Sequence, residues 1–166
     1  SGTVAFLLIE NGVGGGIVFD GHLFRGAGGF AGEFGQMLVC PDRTAAAGRR
    51  TPHLECIIGK DALLAAYKAA GAQSDAELDD LLSALRNGDL LASGVAADWA
   101  DHLARGLINL TNVLNPERII LGGSVALVYA HVETRVLAAM RKELLEGFPL
   151  PRLGPPPLCL GGVAAG

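Results

Sequence analysis

The chain has 166 residues, half of them apolar and 18% charged, with a formal net charge of −4. That length buries one core but not two, and 13 scattered Lys and Arg make no basic face for nucleic acid. Its apolar stretches are interrupted well short of the roughly 18 residues that a membrane helix needs, and no secretion-signal pattern is read in it.

Three widely spaced cysteines, Cys40, Cys56 and Cys159, form no metal or redox pair. They suit free thiols in a reducing compartment, so the cytoplasm is the expected address. Ser1-Gly2 runs at once into a strand-like segment, and Gly166 closely follows another. We therefore expect one domain, residues 1–166, that is a piece of a longer protein.

Thr3 to Ile9 is almost wholly apolar and reads as a buried strand. Asn11-Gly12 is a tight-turn pair, Ile17 to Phe19 a second strand, Asp20-Gly21 another turn, and His22 to Phe24 a third strand. Gly26 to Gly35 then packs five glycines around Glu33. An irregular loop from Pro41 to Pro52 carries Arg43, Arg49 and Arg50.

Leu54 to Ala70 reads as a helix broken near Gly59. Ser74 and Glu77 have capping-box spacing, followed by the stripe Leu78, Leu81, Leu82, Leu85 and a C-terminal Gly88. A long amphipathic helix carries Val95, Trp99, Leu103, Leu107, Leu110 and Leu114 and stops at Pro116. Asp98, Asp101 and Arg105 lie on its opposite, solvated face.

Arg118 to Leu121 is the next strand and Gly122-Gly123 its exit turn. Val132, Val136, Met140 and Leu144 mark a helix stopped by Gly147 and Pro149, and Pro157 to Leu160 supplies a last strand. A three-strand meander followed by helices, strand, helix and strand gives an α/β domain. We expect a mixed five-stranded sheet flanked by helices, the ribonuclease-H-like layout of one lobe of an actin-like ATPase or sugar kinase.

Four stretches, in consistent order over nearly the whole chain, resemble the ROK family of repressors, open reading frames and kinases. Glu10 to Val18 with Asp20-Gly21 resembles its second phosphate-loop region. Gly26-Ala27-Gly28-Gly29-Phe30-Ala31-Gly32-Glu33-Phe34-Gly35-Gln36 is similar to its G-x-x-G-x-A-G-E-x-G-H signature, the most specific of the four. Leu54-Glu55 resembles the end of its cysteine-rich segment, and Asn115 to Gly123 its strand and diglycine near the adenosine.

The resemblance implies the C-terminal half of a two-lobed fold with a sugar in the cleft. It makes Glu33, Gln36 and Glu55 the sugar-binding residues. If the protein is a kinase using ATP and magnesium, Gly12, Gly14, Gly122 and Gly123 would bind the nucleotide. The family's catalytic Asp lies in the other lobe, so no catalytic residue is assigned here.

Two departures matter. The zinc ligands of the family would fall at Gln36, Ala46, Gly48 and His53, a set that cannot hold tetrahedral zinc, so no metal is expected. Glu10-Asn11-Gly12 stands where the family's kinases have Gly-Thr-Gly, and its carboxylate would repel phosphate.

On residues alone, glycines 12 to 16 could cradle phosphate or build a hairpin, and the hairpin is favoured. Glu33 lies in a run so apolar that an unpaired charge is costly, which favours a ligand role over a simple helix-dipole one. Glu55 could equally be an ordinary first-turn residue. What the resemblance and its departures together imply is the sugar-sensing, dimerising half of a transcriptional regulator, which would reach DNA through another part. The alternative is a sugar kinase of the same family, and a third is a scaffold that binds neither.

Overall fold

The computed structural model describes residues 2–39 and 53–156. Strands β1 (Thr3–Ile9), β2 (Val13–Phe19) and β3 (His22–Phe24) form the meander, joined by β4 (Arg118–Gly122) and β5 (Arg152–Gly154). The sheet order is β3-β2-β1-β4-β5, with β1 antiparallel to β2 and parallel to β4. Between β3 and β4 lie α1 (Glu55–Ile58), α2 (Lys60–Ala69), α3 (Leu78–Arg86) and α4 (Leu90–Leu114). Helix α5 (Tyr129–Glu143) links β4 to β5. The mixed five-stranded sheet with flanking helices is the expected one.

Alternation along the strands decides which face carries the core. Ala5, Leu7 and Ile9 of β1, Val13 and Ile17 of β2, and Ile119 and Leu121 of β4 are buried in one cluster with the helices. Val4, Phe6, Leu8, Val18, Leu23 and Ile120 point the other way, and none joins that cluster. Leu8 and Leu23 are 41% and 56% exposed. Every described helix that contributes to the core therefore packs on one side of the sheet.

Strand β2 is longer than the three residues read from the sequence, because the glycine run pairs in full with β1. Gly14, Gly15 and Gly16 stand opposite Leu8, Leu7 and Phe6. The favoured hairpin reading holds for this run, and close packing explains part of it. A Cβ on Gly15 would collide with the Phe34 ring and the Phe6 carbonyl.

The helix after Gly71 begins at Leu78, not near Ser74. Its N-cap is Glu77, whose N–H donates to Asp80 Oδ2 at 2.8 Å. The capping box is shifted by one turn because the buried stripe itself starts at Leu78. Gly88 (φ +71) ends this helix region as expected.

Helix α4 is capped by Asp89, which accepts the Ala92 N–H at 2.8 Å, and closes on left-handed Asn115. Trp99 donates from Nε1 to the Ile58 carbonyl at 2.9 Å, tying α4 to α1. Asp101 is not merely a solvated residue, since it receives two hydrogen bonds from Arg135 of α5 at 2.7 and 2.8 Å. That pair, with Arg105 and His102 nearby, holds the Asp101 carboxyl below its usual range.

Helix α5 ends at Glu143, one residue before the expected Leu144, which turns extended yet stays buried. Among the described residues the last strand is Arg152–Gly154, which no sequence pattern marks. Arg118, Ile119 and Ile120 pair there, and Arg152 N–H donates to the Glu117 carbonyl at 3.0 Å. Residues 157–160, the arginine-bearing loop, Cys40 and Cys159 lie outside the described residues. Among the described residues no helix is long and apolar enough to cross a membrane.

Two glycines give opposite expectations. A Cβ on Gly35 would collide with the Val13 carbonyl, whereas Gly94, inside α4, has nothing within 4 Å. Gly35→Ala should therefore destabilise by about 2 kcal/mol or more, as overpacked sites do. Gly94→Ala should stabilise by about 0.5–1 kcal/mol through helix propensity. Urea unfolding of both variants checks the pair.

Candidate functional site

The glycine-rich bend ends in a single 3-10 turn, Phe34–Gln36, preceded by Glu33. Phe34 and Gly35 are buried and press this turn onto β2. Gly32 (φ +98) permits the approach, because its Cβ would stand 2.8 Å from the Gly15 carbonyl. The chain then continues to Leu38, which bridges His53 in antiparallel fashion, while Leu54 N–H donates to the Met37 carbonyl at 2.9 Å. Those two links return the chain beside the bend, so that α1 starts next to Gln36.

This local arrangement brings two of the expected ligand residues into contact. Gln36 Nε2 donates to Glu55 Oε1 at 2.7 Å. The other oxygen, Oε2, faces the Val13 N–H at 3.5 Å and stands where a Cβ on Gly12 would touch it at 3.5 Å. Glu33 occupies the opposite end of the same single turn as Gln36 and is exposed, with its carbonyl accepting the Gln36 N–H at 3.1 Å. The bend and α1 thus present Glu33, Gln36 and Glu55 on adjoining elements.

The arrangement is rich in acceptors. An ionised carboxylate accepts only, with about four lone-pair positions on its two oxygens. Glu55 uses one oxygen for Gln36, and Gln36 keeps its own carbonyl oxygen as a further acceptor. Such a set suits a ligand with several O–H donors. It does not suit the family's zinc: Gln36 stands at the expected histidine position, and its nitrogen is a donor committed to Glu55.

The four glycines assigned to a nucleotide fall into two places. Gly14 and Gly122 both stand in register with Leu8, on either side of it on the helix-free sheet face. Gly12 lies in the β1–β2 turn beside Glu55, and Gly123 (φ +91) abuts the end of β1, where its Cβ would collide with the Ile9 carbonyl.

Sequence reasoning missed how Glu10 joins these places. Its Oε1 accepts the Ser124 N–H at 2.6 Å and its Oε2 the Ser124 hydroxyl at 2.5 Å. Its carbonyl accepts the Lys60 N–H at 2.8 Å. The Ser124 hydroxyl and then its N–H hold the Glu10 carboxyl below the ordinary carboxylate range. A depressed folded-state pKa means that this contact stabilises the fold above the ordinary value of 4.5, and that the stabilisation is lost as pH falls through the depressed value. The one available signal was a Ser directly after a Gly-Gly strand exit, facing an acidic turn in the parallel neighbour.

Comparisons with known proteins find relatives of the chain as a whole. The glucokinase of Halalkalibacterium halodurans is 31% identical over 166 aligned residues, covering 91% of this chain and 48% of that protein. The xylose repressor of Bacillus subtilis is 26% identical over 142 residues, covering 86% of this chain and 35% of that protein. Among solved structures, a ROK hexokinase from Thermus thermophilus superposes with a TM-score of 0.75 at 28% identity, covering 95% of this chain and 53% of that one. The chain spans about half the length, or less, of the relatives it matches. The ROK family model matches residues 1–155, and the chain belongs to the ROK family.

Proposed function

We propose that this chain is the sugar-binding and dimerising half of a ROK-type transcriptional regulator. The observation that carries the sugar reading is the Gln36–Glu55 hydrogen bond beside Glu33, which places acceptors from two elements together. A sugar offering hydroxyls at matching spacing satisfies them, while an epimer leaves an acceptor unpaired, at a cost of about 1–3 kcal/mol.

In this reading the sugar sits between this lobe and a second one. Closure of the lobes alters the spacing of DNA-binding modules carried elsewhere in a homodimer. The similarity to a xylose repressor supports the regulator, as does the replacement of Gly-Thr-Gly by Glu10-Asn11-Gly12. The similarity to glucokinase supports the other reading, a sugar kinase using ATP and magnesium.

Two measurements on the full-length protein test these readings. Calorimetry against a panel of hexoses, pentoses and amino sugars should give binding to at least one. Absence of heat with every sugar would overturn the sugar reading in favour of a scaffold. ATP-dependent phosphorylation of the bound sugar would replace the regulator by the kinase.

Glu33→Ala should weaken sugar binding by about tenfold or more, the equivalent of at least about 1.4 kcal/mol. Its unfolding free energy should stay within about 0.5 kcal/mol, because an exposed carboxylate contributes little to packing. Glu55→Ala should weaken sugar binding and also lower stability, since it strips Gln36 of its partner. Calorimetry and urea unfolding on the same preparations separate the two effects.

A further inference from the structure

The carboxyl ends of the parallel strands β1 and β4 lie side by side, and the crevice outside such ends is where open α/β sheets receive ligands. A backbone N–H at the start of the following helical segment would ordinarily point at an anionic group there. In this chain the candidate donors already hold an anion, the carboxylate of Glu10. It takes both the N–H and the hydroxyl of Ser124, the residue that leads into the helical run continuing through α5.

Glu10 is fixed from several directions. Its N–H donates to the Gly12 carbonyl at 3.0 Å, and its carbonyl accepts from Lys60 at the start of α2. The turn holding Ser124 has little freedom to withdraw, because Gly123 lies against the Ile9 carbonyl with no room for a Cβ. A phosphate entering this crevice would have to displace a carboxylate from both of its donors and then remain beside that like charge. Lys60 is the cation whose charge acts on Glu10, and its backbone is tied to the same residue.

We propose that Glu10 is a specificity-determining residue whose carboxylate occupies the Ser124 donors at the strand ends and closes them to phosphate-bearing ligands. The protein then responds to its ligand without a nucleotide. This inference stands on the Glu10–Ser124 contact and not on the sugar assignment of Glu33 and Glu55.

The test uses calorimetry of the full-length protein, with inorganic pyrophosphate and with magnesium-ATP as probes, for the unsubstituted protein, Glu10→Gly and Glu10→Gln. The unsubstituted protein should bind neither probe. Glu10→Gly should gain affinity of about tenfold or more above the detection limit, and Glu10→Gln a smaller gain, since it keeps an acceptor for Ser124 but not the charge. Circular dichroism confirms that each variant is folded, and if Glu10→Gly is not, Glu10→Gln carries the test. Binding by the unsubstituted protein as tight as by the variants overturns the proposal, as does a folded variant that gains nothing. A sugar titration of the same proteins keeps the two readings apart: absence of sugar binding by the unsubstituted protein counts against the sugar site and leaves the Glu10 result standing.

Discussion

The close approach of the glycine-rich bend to β2 sets the positions of Glu33 and Gln36, and with them the Gln36–Glu55 contact. Gly32 and Gly35 allow the 3-10 turn to lie directly on the carbonyls of Gly15 and Val13, with Phe34 filling the space above Gly15. Side chains at these points would push the bend off β2, because their Cβ atoms would collide with those carbonyls. Gln36 would then lose Glu55, and Glu33 would leave the same neighbourhood. Both glycines serve by their lack of bulk, and of the two only Gly32 also supplies backbone freedom.

A second constraint acts where β1 ends. Glu10 and Gly123 lock the exits of two parallel strands together, and Gly59 packs onto the Asn11 carbonyl, where any Cβ would collide. The break between α1 and α2 is thereby tied to the same turn. Trp99 completes the frame by hydrogen bonding the last carbonyl of α1. Glu55 thus extends from a short helix held by α4, by the β1–β2 turn and by the returning chain at Met37.

Much of this was legible in the sequence, and what was not has physical causes. Periodicity placed α4 and its buried face because Trp99, Leu103, Leu107 and Leu110 repeat without interruption. The bend was legible because so many glycines around one acid are rare without a reason. Periodicity failed where hydrogen bonds between distant residues decide the outcome. Nothing local distinguishes Arg152–Gly154 as a strand until β4 offers its edge. The Glu10–Ser124 contact spans 114 positions, and no local pattern encodes it. Ser74 misled for the opposite reason: it has the right spacing, but the buried stripe that a cap must serve begins further on.

Strand β1 sits between β2 and β4 in the sheet, yet its two partners belong to opposite ends of the sequence. Its pairing with β2 closes a turn of a few residues, whereas Val4 meets Arg118 only after more than a hundred residues have been made. During synthesis the meander can form early, but one long edge of β1 stays unpaired until β4 leaves the ribosome. That edge belongs to a strand whose residues are almost all apolar, which is the kind of surface that chaperones capture and neighbouring nascent chains join. The parallel pairing that brings the two strand ends together thus imposes a delay on the newborn protein, during which its most adhesive strand has a partner on one side only.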